Sequence, residues 1–260
     1  MQFELHGRSE PDAETVLLSA GLGGLGAFWK PQIAALAEHY RVVTYDQRGT
    51  GRNRAELPEG YQISAMADDV IGIIDQLGIG RCHVMGHALG GLVGLELAHR
   101  QPHRLRKLIL VNAWAKADPH TLNCFAMRKD LLINSGVEAY VRAQPIFLFP
   151  APWLSRHAGR AATETAEGVR HFQGVDTLLR RIGALSAFDM AGRLGDIHVP
   201  TLVAASRDDL LVPWTCSQAL AEAMPAARLS LTAEGGHGFT VTEPEVFNAL
   251  VLDFLREPMS

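Results

Sequence analysis

An α/β architecture, a mostly parallel sheet with helices on both faces and an inserted helical cap, is the fold class this sequence predicts. Three observations carry it. Short apolar runs alternate with helical patterns along most of the chain, which is the alternation that builds parallel strands joined by crossover helices. The stretch from Trp114 to about Phe188 departs from this and holds helical patterns only. One apolar run, ending at Met85, passes directly into a Gly-His-Ala-Leu-Gly turn at residues 86 to 90 and then into a helix. At 260 residues and 47% hydrophobic content the chain fits one domain with an insertion: a core of residues 1–113 and 189–260, and a cap of 114–188.

Six runs read as strands: Thr15–Ala20, Arg41–Tyr45, Arg81–Met85, Lys107–Val111, Val199–Ala205 and Arg228–Leu231. They are short and mostly aliphatic, as strands buried on both faces must be. Between them Phe28–Ala37, Ser64–Leu77, Ala88–Arg100, Thr215–Ala223 and Glu243–Leu255 read as helices; in the third, Leu89, Leu92, Val93, Leu95 and Leu97 cover much of the surface. In the cap, Thr121–Asn134, Val137–Ala143 and Ala161–Ala184 read as helices, broken by the Pro-rich segment Phe147–Trp153. Inserted after a strand, such a cap lies over the strand ends, where open α/β sheets bind ligands.

The formal net charge of -4 offers no basic face for nucleic acid or an anionic membrane, so a small solute is the expected partner. Cys82, Cys124 and Cys216 are odd in number and widely spaced, giving neither a disulfide framework nor a zinc pattern. That suits a reducing compartment, and the expected location is the cytoplasm. Met1–Asp12 carries charges and no apolar core, so it does not read as a signal peptide; no run reaches membrane-spanning length. No metal and no cofactor are expected.

The turn at 86 to 90 has the form of the nucleophile elbow of α/β-hydrolases, a sharp strand-to-helix turn with small flanking residues. Its central position holds Ala88, where a Ser, Cys or Asp would act. In that superfamily the acid and the histidine follow the elbow on later strand-end loops. Asp208 and Asp209 follow the strand ending at Ala205, and His237 follows the strand ending at Leu231 behind Gly235 and Gly236. Asp209 is preferred to Asp208 for its spacing before Pro213. Alone, each acid reads as a solvated loop residue or helix cap and His237 as a loop histidine; order and placement favour a proton-transfer pair. Ser19 to Gly24 follow the first strand, so the N–H of Leu22 can pair with that of Leu89 at a helix N-terminus to hold an oxyanion or carboxylate. These glycines and Asp46 imitate a dinucleotide fingerprint only loosely.

The residues Tyr45 to Gly51, the turn at 86 to 90, Val111 to Trp114, Ala143 to Pro150, His171 to Gly174, Asp208 to Pro213 and Val241 to Asn248 together resemble the RutD family, α/β-hydrolases of bacterial pyrimidine degradation. The likeness runs from about Leu18 to Leu252. That family carries Ala where most of the superfamily carries Ser, so the resemblance implies that Ala88 is native. It also implies hydrolysis of carbamate or, as the alternative, of aminoacrylate to malonic semialdehyde and ammonia.

A methyl group has no lone pair, so covalent acyl transfer through residue 88 is closed. His237, oriented by Asp209, can instead activate water or, as imidazolium, protonate a departing nitrogen. Arg48, His87, Trp114, Gln144 and Gln173 are candidate pocket residues, each with a competing role in bracing or packing; for Arg48 bracing is the stronger reading. For the chain's own assembly a homodimer is the state considered. Two other classes stay open: a catalytically silent binder, which Ala88 favours and the retained acid and histidine oppose, and a cofactor-free oxygenase or non-hydrolytic lyase.

Overall fold

The aliphatic runs form the centre of a seven-stranded sheet in a computed structural model that describes residues 1–258. The strands are β1 Phe3–Gly7, β2 Thr15–Ser19, β3 Arg41–Tyr45, β4 Cys82–His87, β5 Leu105–Val111, β6 Thr201–Ser206 and β7 Ala227–Thr232. Their order is β1-β3-β2-β4-β5-β6-β7, parallel throughout except for β1, which runs antiparallel along β3. Every residue of β2, β4 and β6 is buried, which is why those sequences need no polar alternation. β1 is the strand that the aliphatic criterion misses: it is a half-exposed edge, FELHG, whose polar residues face water.

Crossover helices cover both faces: α1 Lys30–Ala37, α2 Ile63–Gln76 and α3 Leu89–Arg100 in the first half. After β5 come α4 Pro119–Leu148, α5 Ala151–Arg156, α6 Ala158–Arg170 and α7 Val175–Ala187, then β6, α8 Trp214–Ala223, β7, α9 Phe239–Thr242 and α10 Pro244–Arg256. One apolar cluster joins α2, α3 and one sheet face to the cap; the other packs α1 and α10 on the opposite face. Among the described residues no helix is long and apolar enough to cross a membrane.

Several boundaries need correction. Phe28–Ala37 begins as a 3-10 turn, Gly26–Trp29, before α1. The patterns Thr121–Asn134 and Val137–Ala143 join in α4 across a kink at Gly136, whose φ of 87° only glycine adopts readily. The segment Phe147–Trp153 is helical at both ends instead of being a break: α4 tolerates Pro145 and runs to Leu148, and Pro150 and Pro152 fit the cap and first turn of α5. Ala161–Ala184 is two helices, because His171 to Gly174 leave helical geometry and Gly174, at φ 97°, caps α7.

Candidate active site

The elbow is built by close approach of backbones. Ala88 sits at φ 47° and ψ -114°, a conformation that a non-glycine residue keeps only when its surroundings enforce it. They do so here: the Ala88 N–H donates to the Val111 carbonyl at 2.8 Å, and the Ala88 carbonyl accepts from Gly91 and Leu92 as α3 begins. A Cβ on Gly90 would lie 2.1 Å from the Ser19 carbonyl oxygen, so β2 passes directly against the turn. The Ala88 side chain belongs to the apolar cluster that sheet and cap share, and the residue is 6% exposed.

His237 and Asp209 meet beside it. Asp209 Oδ2 accepts from His237 Nδ1 at 2.8 Å, and both side chains are sealed from water, 0% and 3% exposed. The other oxygen of Asp209 accepts the N–H groups of Leu211 and Val212 at 2.8 and 2.9 Å, so the carboxylate cannot rotate away. With the proton held on Nδ1, Nε2 is the acceptor that the site offers. Asp208 has different work: it accepts from the Ser206 hydroxyl at 2.5 Å and from the N–H groups of Gly236 at 2.8 Å and Gly235 at 3.3 Å. It thus shapes the histidine loop, in which Gly235 and Gly236 both take positive φ.

His87 is beneath His237. Its Nε2–H donates to the His237 carbonyl at 2.8 Å, which Asn112 Nδ2 also contacts at 2.6 Å. Burial, and secondarily the nearby His237, push the His87 pKa down to about 3, so His87 is neutral and acts as a brace. Asn112 was not foreseen as part of the site. A short polar residue directly after the aliphatic run of β5 is the one sequence signal for it, and in the structure it takes φ 48°.

Above the elbow, the N–H groups of Leu22 and Leu89 have no acceptor among the described residues. Leu89 is also the first residue of α3, where the helix dipole favours negative charge. The carbonyl of Leu22 accepts from Gln173 at 3.4 Å and from Arg181 at 3.1 Å, which places Gln173 on the outer side of this loop. Gln173 also lines a surface cleft of about 450 Å³ together with Gly49, Gly51, Glu56 and Phe172, a cleft that reaches neither Ala88 nor His237. Trp114 is buried in the main apolar cluster, its indole N–H without an acceptor. Gln144 is occupied inside α4, accepting from Arg128 and donating to the Tyr140 carbonyl.

Arg48 is engaged as the brace that the sequence favours. It forms an ion pair with Asp69 on α2, and its side chain is 44% exposed. In the same turn Asp46 takes the N–H of Gly26 and the backbone and side chain of Arg52, which hold its carboxyl below the ordinary range despite burial. Tyr45 to Gly51 is thus a braced corner of the core.

The order elbow, acid, histidine, on the loops after β4, β6 and β7 of a sheet of this topology, is that of an α/β-hydrolase. The alpha/beta hydrolase fold family model matches residues 15–244. The protein "Putative carbamate hydrolase RutD" of Agrobacterium fabrum is 55% identical over 98% of both chains, and the protein of the same name from Rhizobium rhizogenes is 56% identical over 98% of both. Among solved structures, the enol-lactonase from Burkholderia xenovorans LB400 is similar with a TM-score of 0.88 at 29% identity, covering 98% of this chain and 96% of that one. The chain belongs to the α/β-hydrolase family and, within it, to the group of proteins that carry the RutD name.

Proposed function

We propose that this protein hydrolyses the C–N bond of carbamate by proton transfer through His237, with no covalent intermediate at residue 88. The observation that carries the reading is the sealed Asp209–His237 pair beside an elbow that bears a methyl group. A chain that only bound ligand would have no use for that pair, whereas acid–base chemistry needs it and needs no nucleophile. In the reaction carbamate nitrogen gains a proton, the C–N bond breaks with its electron pair going to nitrogen, and ammonia and carbon dioxide leave. His237 would deliver the proton, with Asp209 offsetting its charge. The Leu22 and Leu89 N–H groups would hold a carboxylate oxygen in ground and transition state alike, so a modest acceleration is expected.

One observation favours a second reading. The hydrogen bond from Nδ1 to Asp209 presents Nε2 as a base, which suits activating water toward the imine tautomer of aminoacrylate, with ammonia leaving and malonic semialdehyde formed. Both substrates are small carboxylates. The resemblance of the sequence supports a place in pyrimidine nitrogen breakdown, and three widely spaced free cysteines suit the cytoplasm. Ammonia release from freshly prepared carbamate and from freshly generated aminoacrylate, each against the uncatalysed rate, tests the proposal. An excess rate with carbamate is expected; an excess with aminoacrylate alone would move the assignment to the second substrate, and none with either would leave a binder.

A further inference from the structure

Two arginines of the cap are buried without a carboxylate partner. Arg128, on α4, is 4% exposed and Arg181, on α7, is 0% exposed, yet neither makes an ion pair with an acidic side chain among the described residues. A buried guanidinium is costly unless paired, so an uncompensated one asks what completes it. Arg128 donates to the Tyr140 hydroxyl at 3.1 Å and to Gln144 Oε1, both neutral, and its Nε has no partner. Three aromatic rings cage it, those of Phe125, Tyr140 and Phe147 at 5.0 to 5.7 Å. Arg181 donates to the carbonyls of Leu22 at 3.1 Å and Gly21 at 3.5 Å and to Gln47 Oε1, and its Nη1 has no partner.

Both cations sit on cap elements that touch the loops of the site. The helix that carries Arg128 begins against the acid loop, where Thr121, two turns earlier, bonds the Leu211 carbonyl at 3.2 Å. The far end of α4 closes on the histidine loop through the Gly238 N–H to the Leu148 carbonyl, one residue from Phe147. Arg181 bonds most closely to the Leu22 carbonyl at 3.1 Å and reaches, at 3.5 Å, the Gly21 carbonyl, which shares its peptide with the free Leu22 N–H. A cation on that carbonyl fixes the peptide plane and strengthens the N–H as a donor.

From this we propose that Arg128 and Arg181 are the residues that make the site select a carboxylate. Arg128 binds the carboxylate group directly through its unpaired N–H groups, as the counter-ion the fold leaves out. Arg181 is a positioning residue that holds and polarises the Gly21–Leu22 peptide. This deepens the proposed function and rests on its placement of the site, but it concerns binding and not turnover.

The test uses the full chain, with propionate and its neutral isostere propionamide as unreactive probes, titrated in chloride-free buffer by calorimetry and by the arginine Nε–H signals in NMR. Wild type is expected to bind propionate at least about tenfold tighter than propionamide, as a charge-assisted hydrogen bond implies. The Arg128 Nε–H signal should shift with propionate alone. Arg128→Gln should bring the two affinities together, while Arg181→Gln should weaken propionate, with partial recovery in Arg181→Lys. Equal binding of the two probes by wild type, an unmoved Arg128 signal, or an Arg128→Gln variant that keeps the wild-type preference would overturn the proposal. The wild-type comparison stands even if a variant fails to fold. Because both probes are unreactive, a failure of the hydrolytic reading leaves this result readable on its own.

Discussion

At residue 88 the strain belongs to the backbone, since φ 47° and ψ -114° are imposed by the Val111 hydrogen bond and the packing of β2. Exchanging one small side chain for another there should cost little in stability. Ala88→Ser is therefore expected to fold and, with His237 at hand as base, to form an adduct with a fluorophosphonate that intact mass reports; wild type should form none at this residue. A folded, inert Ser variant would contradict the elbow geometry. The two adjacent acids separate in the same way. Asp208 shapes the histidine loop, so Asp208→Ala should lower activity through the loop, while Asp208→Asn, which keeps an oxygen for the Gly236 N–H, should cost little. His87 makes a pH prediction. Its pKa falls from 6.5 to about 3 on folding, so the unfolded chain binds more protons between those values and stability must decline as pH drops through that window. His83, lowered to about 4 chiefly by burial, adds to the same decline. Denaturant midpoints at pH 7.5 and 5 should show a smaller loss in His87→Gln than in wild type; an equal loss would show that His87 is not a buried neutral brace.

At the scale of elements, the site depends on β2 and α3 touching without side chains between them. Gly90→Ala would set a methyl 2.1 Å from the Ser19 carbonyl oxygen and 2.6 Å from that of Ala20, atoms that cannot swing aside. Urea unfolding is expected to show a loss at or above the upper end of the ~1–3 kcal/mol typical of overpacking. An unchanged midpoint would mean that the elbow is looser than described. Which elements the sequence revealed follows from the same physics. The strands Thr15–Ser19 and Thr201–Ser206 are legible because burial on both faces demands aliphatic runs. β1 is not, because an edge strand answers to water on one side. The acid–histidine pair was legible from loop position, since each residue follows its strand directly. Arg128 and Arg181 were not: Arg128 meets Tyr140 and Gln144 across the kink of α4 at Gly136, Arg181 meets Leu22 and Gln47 from other elements, and no regular spacing along the chain encodes either meeting.

For the whole molecule, cap and core share one site. The core supplies Ala88, Asp209, His237 and the free N–H groups of Leu22 and Leu89; the cap closes over them through the Leu148 carbonyl, Thr121 and Arg181. His87, held neutral beneath His237, leaves His237 as the proton carrier of the proposed reaction. The central claim is that His237, oriented by Asp209, transfers the proton without a covalent intermediate, and the most direct measurement is ammonia release from freshly prepared carbamate, followed over several pH values in folded wild type, His237→Ala and Asp209→Asn. General acid–base catalysis is worth roughly 10²–10⁴-fold, so His237→Ala should lose most of the rate above background and Asp209→Asn nearly as much by favouring the wrong tautomer. An excess rate that survives His237→Ala intact would contradict the account and transfer the chemistry to binding by the Leu22 and Leu89 amides.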